Sequence, residues 1–385
     1  MLVVGAGPAG LMFARKFSSK GYRVLVVEKE NRLSEKACGE GISARVLMTA
    51  EIPIKEKERF VSREIKRAYV YSPSGLRVTL NGSEEETLGY IINKKEFLEV
   101  MAEYATMEGA DIMMMEPAKD FERIDDGFNV KTKNCWIKTR LLVGADGYLS
   151  TVARKLGFER PRERKIIPSI QYVMVNVELD DWEALEFYVG KSVAPYGYAW
   201  IFPKDGKKAN VGIGVQQGAP LYYLNKFIKD HPEKFGNAAK VEFRGAAVTI
   251  GGMLKKIVAD NVMLIGEAAG QVIPLTGGGI HSSIAGGSIA ADIAIEAFEE
   301  NDLSAVKLKK YVEEYNRHWG KRIRDSKKAL EVIDKLSDEE LDKLAEILDP
   351  KDVLDLANGL NITRVAAKLM KYPVFSIKIA SKLLS

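Results

Sequence analysis

Val3-Val4-Gly5-Ala6-Gly7-Pro8-Ala9-Gly10 decides the fold of this chain. A short apolar run leads into Gly-x-Gly-x-x-Gly, and residues 23–28 (RVLVVE) close the unit on Glu28. The spacing predicts strand, tight turn, helix and second strand, with Pro8 in the first helical turn and Gly21 ending the helix after Lys20. Gly5 permits the turn, Gly7 admits a diphosphate to the backbone, and Gly10 lets helix and strand pack closely. The helix start offers unpaired N–H groups and partial positive charge to phosphates. Glu28 stands 18 residues after Gly10, near the usual distance for an acid that binds a ribose hydroxyl. The context supports a bound dinucleotide; the alternative is a glycine loop before an ordinary helix.

At 385 residues, 46% hydrophobic and 29% charged, the chain can build two or three domains around a large core. Its net charge of +4 is dispersed, with no basic run interleaved with aromatics, so nucleic acid is not an expected partner. Two cysteines, Cys38 and Cys135, argue against a disulfide framework and for a reducing cytoplasm. No signal peptide and no apolar run near about 18 residues is present, so no membrane span is expected. Only Met1 and Leu2 precede Val3, so the first strand is short or its true start lies upstream. No metal-ligand spacing appears.

Farther along, the glycines of Cys38-Gly39-Glu40-Gly41 imply close backbone approach to another group. Residues 68–71 and 76–80 read as strands around a Ser72-Pro73-Ser74-Gly75 turn. Asn93 with Glu96 reads as a capping box opening a helix with an apolar face of Phe97, Leu98, Met101, Tyr104 and Ala105. Residues 140–154 (RLLVGADGYLSTVAR) repeat the opening logic, and residues 261–292 do so again through Gly266-Glu267 and Gly277-Gly278-Gly279-Ile280. Between them, alternating segments at 170–177, 199–202 and 210–215 predict an antiparallel sheet with one exposed face. From 303 onward the pattern is helical, with breaks at Pro350 and Pro373. The expected architecture is mixed α/β and α+β. A discontinuous Rossmann-type dinucleotide-binding domain (1–75, 93–158, 251–300) carries an inserted antiparallel substrate domain (76–92, 159–250) and a C-terminal helical region (301–385).

Three glycine-rich strand–helix junctions far apart in sequence can meet at the carboxyl ends of neighbouring strands. This arrangement resembles FAD proteins of the glutathione-reductase and p-hydroxybenzoate-hydroxylase type. The resemblance puts Asp146-Gly147, followed by Ser150 and Arg154, in the second FAD segment. It puts Gly266-Glu267 where Gly-Asp is usual, Glu267 facing the ribitol directly or through water. The plainer readings are that Asp146 caps a helix and Glu267 is a solvated loop acid. A single Gly-x-Gly-x-x-Gly leaves no second nicotinamide domain. The electron donor is therefore external: NAD(P)H bound transiently, ferredoxin or another carrier.

Two more segments narrow the match. Cys38-Gly39-Glu40-Gly41 resembles the FAD loop of geranylgeranyl reductases, and Pro195-Tyr196-Gly197-Tyr198-Ala199-Trp200-Ile201-Phe202-Pro203 matches that family's Pro-x-x-Tyr-x-Trp-x-Phe-Pro signature. Asn210-Val211-Gly212-Ile213-Gly214 is also familiar there, and within that family the chain resembles the archaeal digeranylgeranylglycerophospholipid reductases. The resemblance covers residues 1–330. It implies FAD contacts from Ala9, Glu28, Cys38, Gly39, Gly41, Ala118, Glu267, Gly279 and Ile280, beside Gly5, Gly7 and Gly10 of the opening turn and Asp146 of the second segment. Lys94 stands where the family commonly has Arg. The implied substrate is an isoprenoid ether lipid and the implied reaction is saturation of its C=C bonds.

An isolated trisubstituted alkene accepts hydride only as a proton arrives, leaving positive charge on its more substituted carbon. Aromatic faces stabilise that charge and exclude water. Tyr198, Trp200 and Phe202 alternate, so on a strand they share one face, as an isoprenoid tunnel requires or as ordinary core would. Tyr172 and Phe187 are further candidates. Cys38 and Glu40 are candidate proton donors, with water and Tyr196 as others, and His281 reads as structural. Residues 362–384 are amphipathic and basic, fitted to cover the tunnel, to rest on a membrane surface, or to pack as an ordinary helix. The rival functions are a flavin monooxygenase of the same fold and a flavin electron carrier.

Overall fold

A computed structural model describes residues 1–34, 36–82, 87–159 and 165–372. Leu2–Val4 is only three residues long, yet it is the middle strand of the nucleotide-type sheet. It pairs in parallel with Val24–Val27 on one side and Leu142–Gly144 on the other. Ala110–Met113 and Val262–Leu264 extend the parallel array, and Val258–Ala259 adds an antiparallel edge. Its inner strands are continuous apolar runs, as a sheet covered on both faces requires. The helix Pro8–Ser18 packs against the long helix Ile280–Glu299. Residues 120–139 form a three-stranded antiparallel meander beside this sheet, where the sequence shows only a hairpin arm at 127–137.

The second body is a seven-stranded sheet in the order Ala239–Thr249, Ile166–Val175, Lys208–Gly214, Tyr198–Pro203, Ala184–Val189, Arg67–Tyr71, Arg77–Asn81. All its pairings are antiparallel except Ala184–Val189 with Arg67–Tyr71. One face buries Met174, Ile201, Val211 and Ile213 against Leu224 and Phe227 of the helix Pro220–Asp230. The other face packs Trp200 and Phe202 on Ile65 and Ile91, which belong to neighbouring strands outside this sheet. The expected solvent face is therefore absent from the middle strands. Exposure is concentrated on residues 239–243 of the edge strand.

Two boundaries differ from the sequence reading. The expected division at 75/76 cuts a hairpin whose arms, Arg67–Tyr71 and Arg77–Asn81, both join the large sheet. Gly89–Ile92, expected with the substrate domain, pairs with Gly41–Ser43 and Val61–Ile65 in a small separate sheet. That sheet ties the Cys38–Gly41 loop to the helix Lys94–Met107, whose first turn Asn93 caps by accepting the Glu96 N–H at 3.5 Å.

From Ala305 to Leu369 the chain is helical. Pro350 opens a helix at its first position, capped by Asp349, rather than ending one. In Ile362–Leu369, Arg364 pairs with Asp352 and Asp355, and Lys368 with Asp349 and Asp352. These bonds fit the packed reading of that stretch. Pro373, Val374, Phe375, Lys378, Ile379, Lys382, Leu383 and Leu384 lie outside the described residues. Among the described residues no helix is long and apolar enough to cross a membrane.

The contact between the two long helices has no slack at Gly287, where a Cβ would stand 2.3 Å from the Ala9 carbonyl oxygen. Gly287→Ala is expected to cost about 1–3 kcal/mol of stability, the usual penalty for overpacking. Denaturant unfolding checks it, and a wild-type midpoint would show that this contact does not set the helix spacing.

Candidate active site

The three glycine junctions meet in close contact. Gly5, at φ +106°, lies where a Cβ would stand 2.5 Å from the Ala145 carbonyl oxygen. Gly10 folds so tightly over the turn that a Cβ would fall 2.1 Å from the Gly5 oxygen. Gly266 meets Ala9, so the third junction also touches the first helix. Gly7 differs: a Cβ there would meet nothing within 4 Å, and no side chain caps the helix it opens. Open space before an uncapped helix start is the cradle a diphosphate needs.

Around the cradle the polar side chains have definite partners. Glu28 accepts the Ala6 N–H at 2.8 Å and the Glu30 N–H at 3.0 Å, which places its carboxylate at the glycine turn. The Glu116 N–H bonds the Glu28 carbonyl at 2.7 Å and brings the buried Ala118 segment alongside. Asp146 accepts the Ser150 hydroxyl and the Thr151 N–H, each at 2.6 Å, and so supports the start of the short helix Thr151–Lys155, whose N-cap is Ser150. Burial raises its pKa while those donors oppose the rise. Its side chain thus follows the plainer reading. Glu267 is not a solvated loop acid: it pairs with Lys36 and accepts the Thr249 N–H at 3.0 Å.

The third junction is fixed from behind by Gln271, which is fully buried. Its carbonyl accepts the Gly266 N–H and its amide donates to the Tyr311 hydroxyl, both at 2.6 Å. Gly279 then begins the helix Ile280–Glu299 with no side-chain cap, presenting a second free helix start near Ile280. His281 is held by Ser43 at 3.2 Å and Thr49 at 2.8 Å, with its ring against Trp319. That is the structural role expected of it.

The loop Cys38–Gly41 presses on the aromatic strand. A Cβ at Gly39 would stand 2.7 Å from the Phe202 ring, and one at Gly41 3.4 Å. The Tyr198 hydroxyl donates to the Thr276 carbonyl at 2.5 Å, so the same strand reaches the start of the long helix. Burial raises the Tyr198 pKa and keeps the hydroxyl protonated. Trp200 lies between, its indole nitrogen facing Gly39 and its ring over Gly212. Phe187 joins Tyr198 and Phe202 at ring separations of 5.7 and 5.2 Å.

Tyr172 does not join them. Strand alternation turns it to the opposite face, where it packs near the helix-covered core, with its ring tilted against Phe243 and the Lys240 ammonium over it. Its neighbour Gln171 takes the inward position, in register with Gly212 and through it with Trp200. Gln171 is fully buried, and both its amide atoms lack a protein partner.

Cys38 is half-buried, its sulfur accepting the Glu40 N–H at 3.3 Å. Glu40 is 2% exposed and sits at φ +68°, a left-handed conformation costly for a side-chain-bearing residue. Its Oε2 accepts from Lys204 at 2.5 Å and Asn210 at 2.9 Å. Its Oε1 accepts the Lys94 N–H at 3.2 Å and faces Arg244 at 3.6 Å. The Lys94 ammonium is buried and donates to the Lys36 carbonyl at 3.2 Å, and desolvation lowers its pKa. It braces the loop. Lys36, Gln171, Lys204, Asn210 and Arg244 were not singled out by sequence as site residues. A polar residue inside an apolar alternating strand was the available signal for Gln171 and Asn210. Among the described residues no cluster has the make-up of a metal site.

Comparison with known proteins gives a consistent set of likenesses. A family model described as "Geranylgeranyl reductase catalytic domain" matches residues 165–248, and one described as "NAD(P)-binding Rossmann-like domain" matches residues 3–38. The digeranylgeranylglycerophospholipid reductase of Methanocaldococcus jannaschii is 35% identical, over 97% of this chain and 96% of its own length. Digeranylgeranylglycerophospholipid reductase 2 of Methanopyrus kandleri is 33% identical, over 100% of this chain and 99% of its own. A geranylgeranyl bacteriochlorophyll reductase-like protein from Thermoplasma acidophilum superposes with a TM-score of 0.89 at 30% identity, covering 99% of this chain and 98% of that one.

One titration in the site is open to measurement. Burial first, then Arg322, His318 and Arg45, hold the His281 pKa down to about 4 against an ordinary 6.5. The unfolded chain then binds a proton that the folded chain refuses, so stability is full above pH 6.5 and falls as pH drops toward 4. In His281→Gln that part of the slope is expected to vanish. Urea unfolding of both proteins across this range checks it, and parallel slopes would contradict it.

Proposed function

The chain belongs to the geranylgeranyl reductase family, and we propose that it saturates the C=C bonds of geranylgeranyl chains in ether phospholipids, using FAD. The observation that carries this reading is the seating of one aromatic strand on two parts of the nucleotide site. Phe202 lies under Gly39 and Gly41, and Tyr198 bonds the Thr276 carbonyl. An apolar chain lying along Tyr198, Trp200, Phe202 and Phe187 would therefore run beside whatever those segments hold.

The residues fit FAD. The open cradle at Gly7, with Gly5, Ala9 and Gly10 shaping it, suits the diphosphate. Glu28 and the Ala118 segment lie where the adenosine half would extend, and Glu267 remains the candidate for the ribitol. Cys38, Gly39, Gly41, Gly279 and Ile280 would hold the flavin end, with Lys94 bracing the Cys38 loop through the Lys36 carbonyl. The helix start at Gly279 offers its N–H groups and dipole to negative charge there. Asp146 contributes by holding the second junction against Gly5.

Bound here and reduced, FAD would supply the hydride that the alkene takes up. The protein's own part is to bury the chain, exclude water, and stabilise positive charge on the branched carbon through ring faces. Three donors and the Arg244 cation converge on the Glu40 carboxylate, so it acts as an acceptor that positions the loop. Cys38, half-buried on the same loop, remains the side chain placed to hand a proton to substrate. Electrons enter from an external carrier, since one Gly-x-Gly-x-x-Gly loop serves one resident dinucleotide.

Anaerobically reduced enzyme is expected to add two hydrogens for each double bond of a digeranylgeranyl ether phospholipid, read by mass spectrometry. Trp200→Leu is expected to slow this about 30-fold, from about 2 kcal/mol of desolvated cation–π attraction. An unchanged lipid mass with reduced flavin present, or a gain of oxygen, would sink the reading.

A further inference from the structure

We propose that the side-chain carbonyl of Asn210 is a catalytic group, fixed so that its oxygen faces the positive charge developing on the alkene. This deepens the reductase reading and rests on it. Asn210 is fully buried in the strand Lys208–Gly214, in register with Phe202. Its amide nitrogen donates twice, to the Gly39 carbonyl at 3.1 Å and to Glu40 Oε2 at 2.9 Å. Both partners are acceptors only, so the NH2 side must face them and the orientation of the amide is decided. The carbonyl oxygen is consequently directed away from the loop, and it is buried with no donor of its own.

A buried carbonyl left without a donor carries an appreciable desolvation cost, and here its residue stands in register with Phe202 of the aromatic strand. Behind it stands a chain of charge. The Lys204 ammonium pairs with Glu40, and the Glu40 carboxylate draws on the Asn210 N–H. That polarisation moves electron density toward the free oxygen and strengthens it as the negative end of a dipole. Gln171 is also unpartnered, but nothing fixes which end of its amide points inward. Asn210 is the group whose direction the structure assigns.

The chemistry asks for such a dipole. A proton handed over by the Cys38 thiol, which solvent afterwards restores, forms a C–H bond at the less substituted alkene carbon, and the π electron pair is consumed in that bond. The branched carbon is left positive until hydride fills it, which accounts for both hydrogens and both electrons. A preorganised carbonyl facing that carbon lowers the barrier without rearranging at the moment of reaction. Glu40 thereby gains a positioning role consistent with its burial and its left-handed backbone.

The test compares two probes on FAD-loaded protein. One is a neutral saturated-chain ether lipid, and the other is the same lipid with a protonated tertiary amine in place of the branched carbon. Wild type is expected to bind the ammonium lipid more tightly, and Asn210→Leu to lose that preference by about 10-fold while the neutral lipid keeps its affinity. The kcat of Asn210→Leu should fall about 100-fold with little change in KM. Glu40→Gln should lose part of the same preference, and it serves if the leucine variant fails to fold. Equal wild-type affinity for the two probes, or equal losses for both in the variants, overturns the assignment and leaves the reductase reading standing. Failure of wild type to bind either lipid overturns that reading and the assignment together.

Discussion

Backbone touching backbone is the constraint on which this structure depends. The Gly5 turn meets Ala145, Gly10 folds over Gly5, and Gly287 meets the Ala9 carbonyl, each at a distance that a methyl group would forbid. These contacts bring three strand–helix junctions, separated by more than a hundred residues of sequence, to one end of one sheet. None of them is strong as an attraction. Their effect is geometric, because only residues without a Cβ let two uncapped helix starts approach a common space. The rigid parts around them, such as Gln271 between Gly266 and Tyr311, hold that space in shape.

The substrate face is joined to this frame by a different kind of bond. Phe202 and Trp200 supply apolar area against a loop of glycines, and Glu40 binds the loop to the strands through Lys204, Asn210 and Arg244. A carboxylate with two cations and two neutral donors avoids the heavy cost of an unpaired buried charge. The same bonds keep the aromatic strand in one register relative to the loop. Apolar packing alone tolerates sliding; a carboxylate held at both oxygens does not.

Much of this was legible in the sequence, and the limits have physical causes. The three junctions were readable because each carries its reason locally, in a strand that runs into glycines and a helix. Tyr198, Trp200 and Phe202 were readable as one face because strand side chains alternate. Alternation does not say which of two faces meets which neighbour, so Tyr172 reads as a further substrate candidate, whereas Gln171 shares the register of Trp200. The register Arg244–Gln171–Gly212–Trp200 crosses four strands that no local pattern connects. The Ser72–Gly75 turn looked like a boundary because a tight turn and a domain edge share the same residues.

Asp146 and Glu267 show why a motif residue and its side-chain role need separating. Asp146 spends both oxygens on Ser150, Thr151 and Val152, yet its backbone is what meets Gly5. The acid therefore shapes the junction itself. Glu267 stands where an aspartate is usual, and its carboxylate spans from Lys36 in the Cys38 loop to the Thr249 N–H at the end of the large sheet's edge strand. An aspartate at 267 is one methylene shorter and would have to move its backbone to keep both contacts. The longer side chain so links the third junction to the loop and to the substrate sheet at once, which a ribitol contact alone would not require.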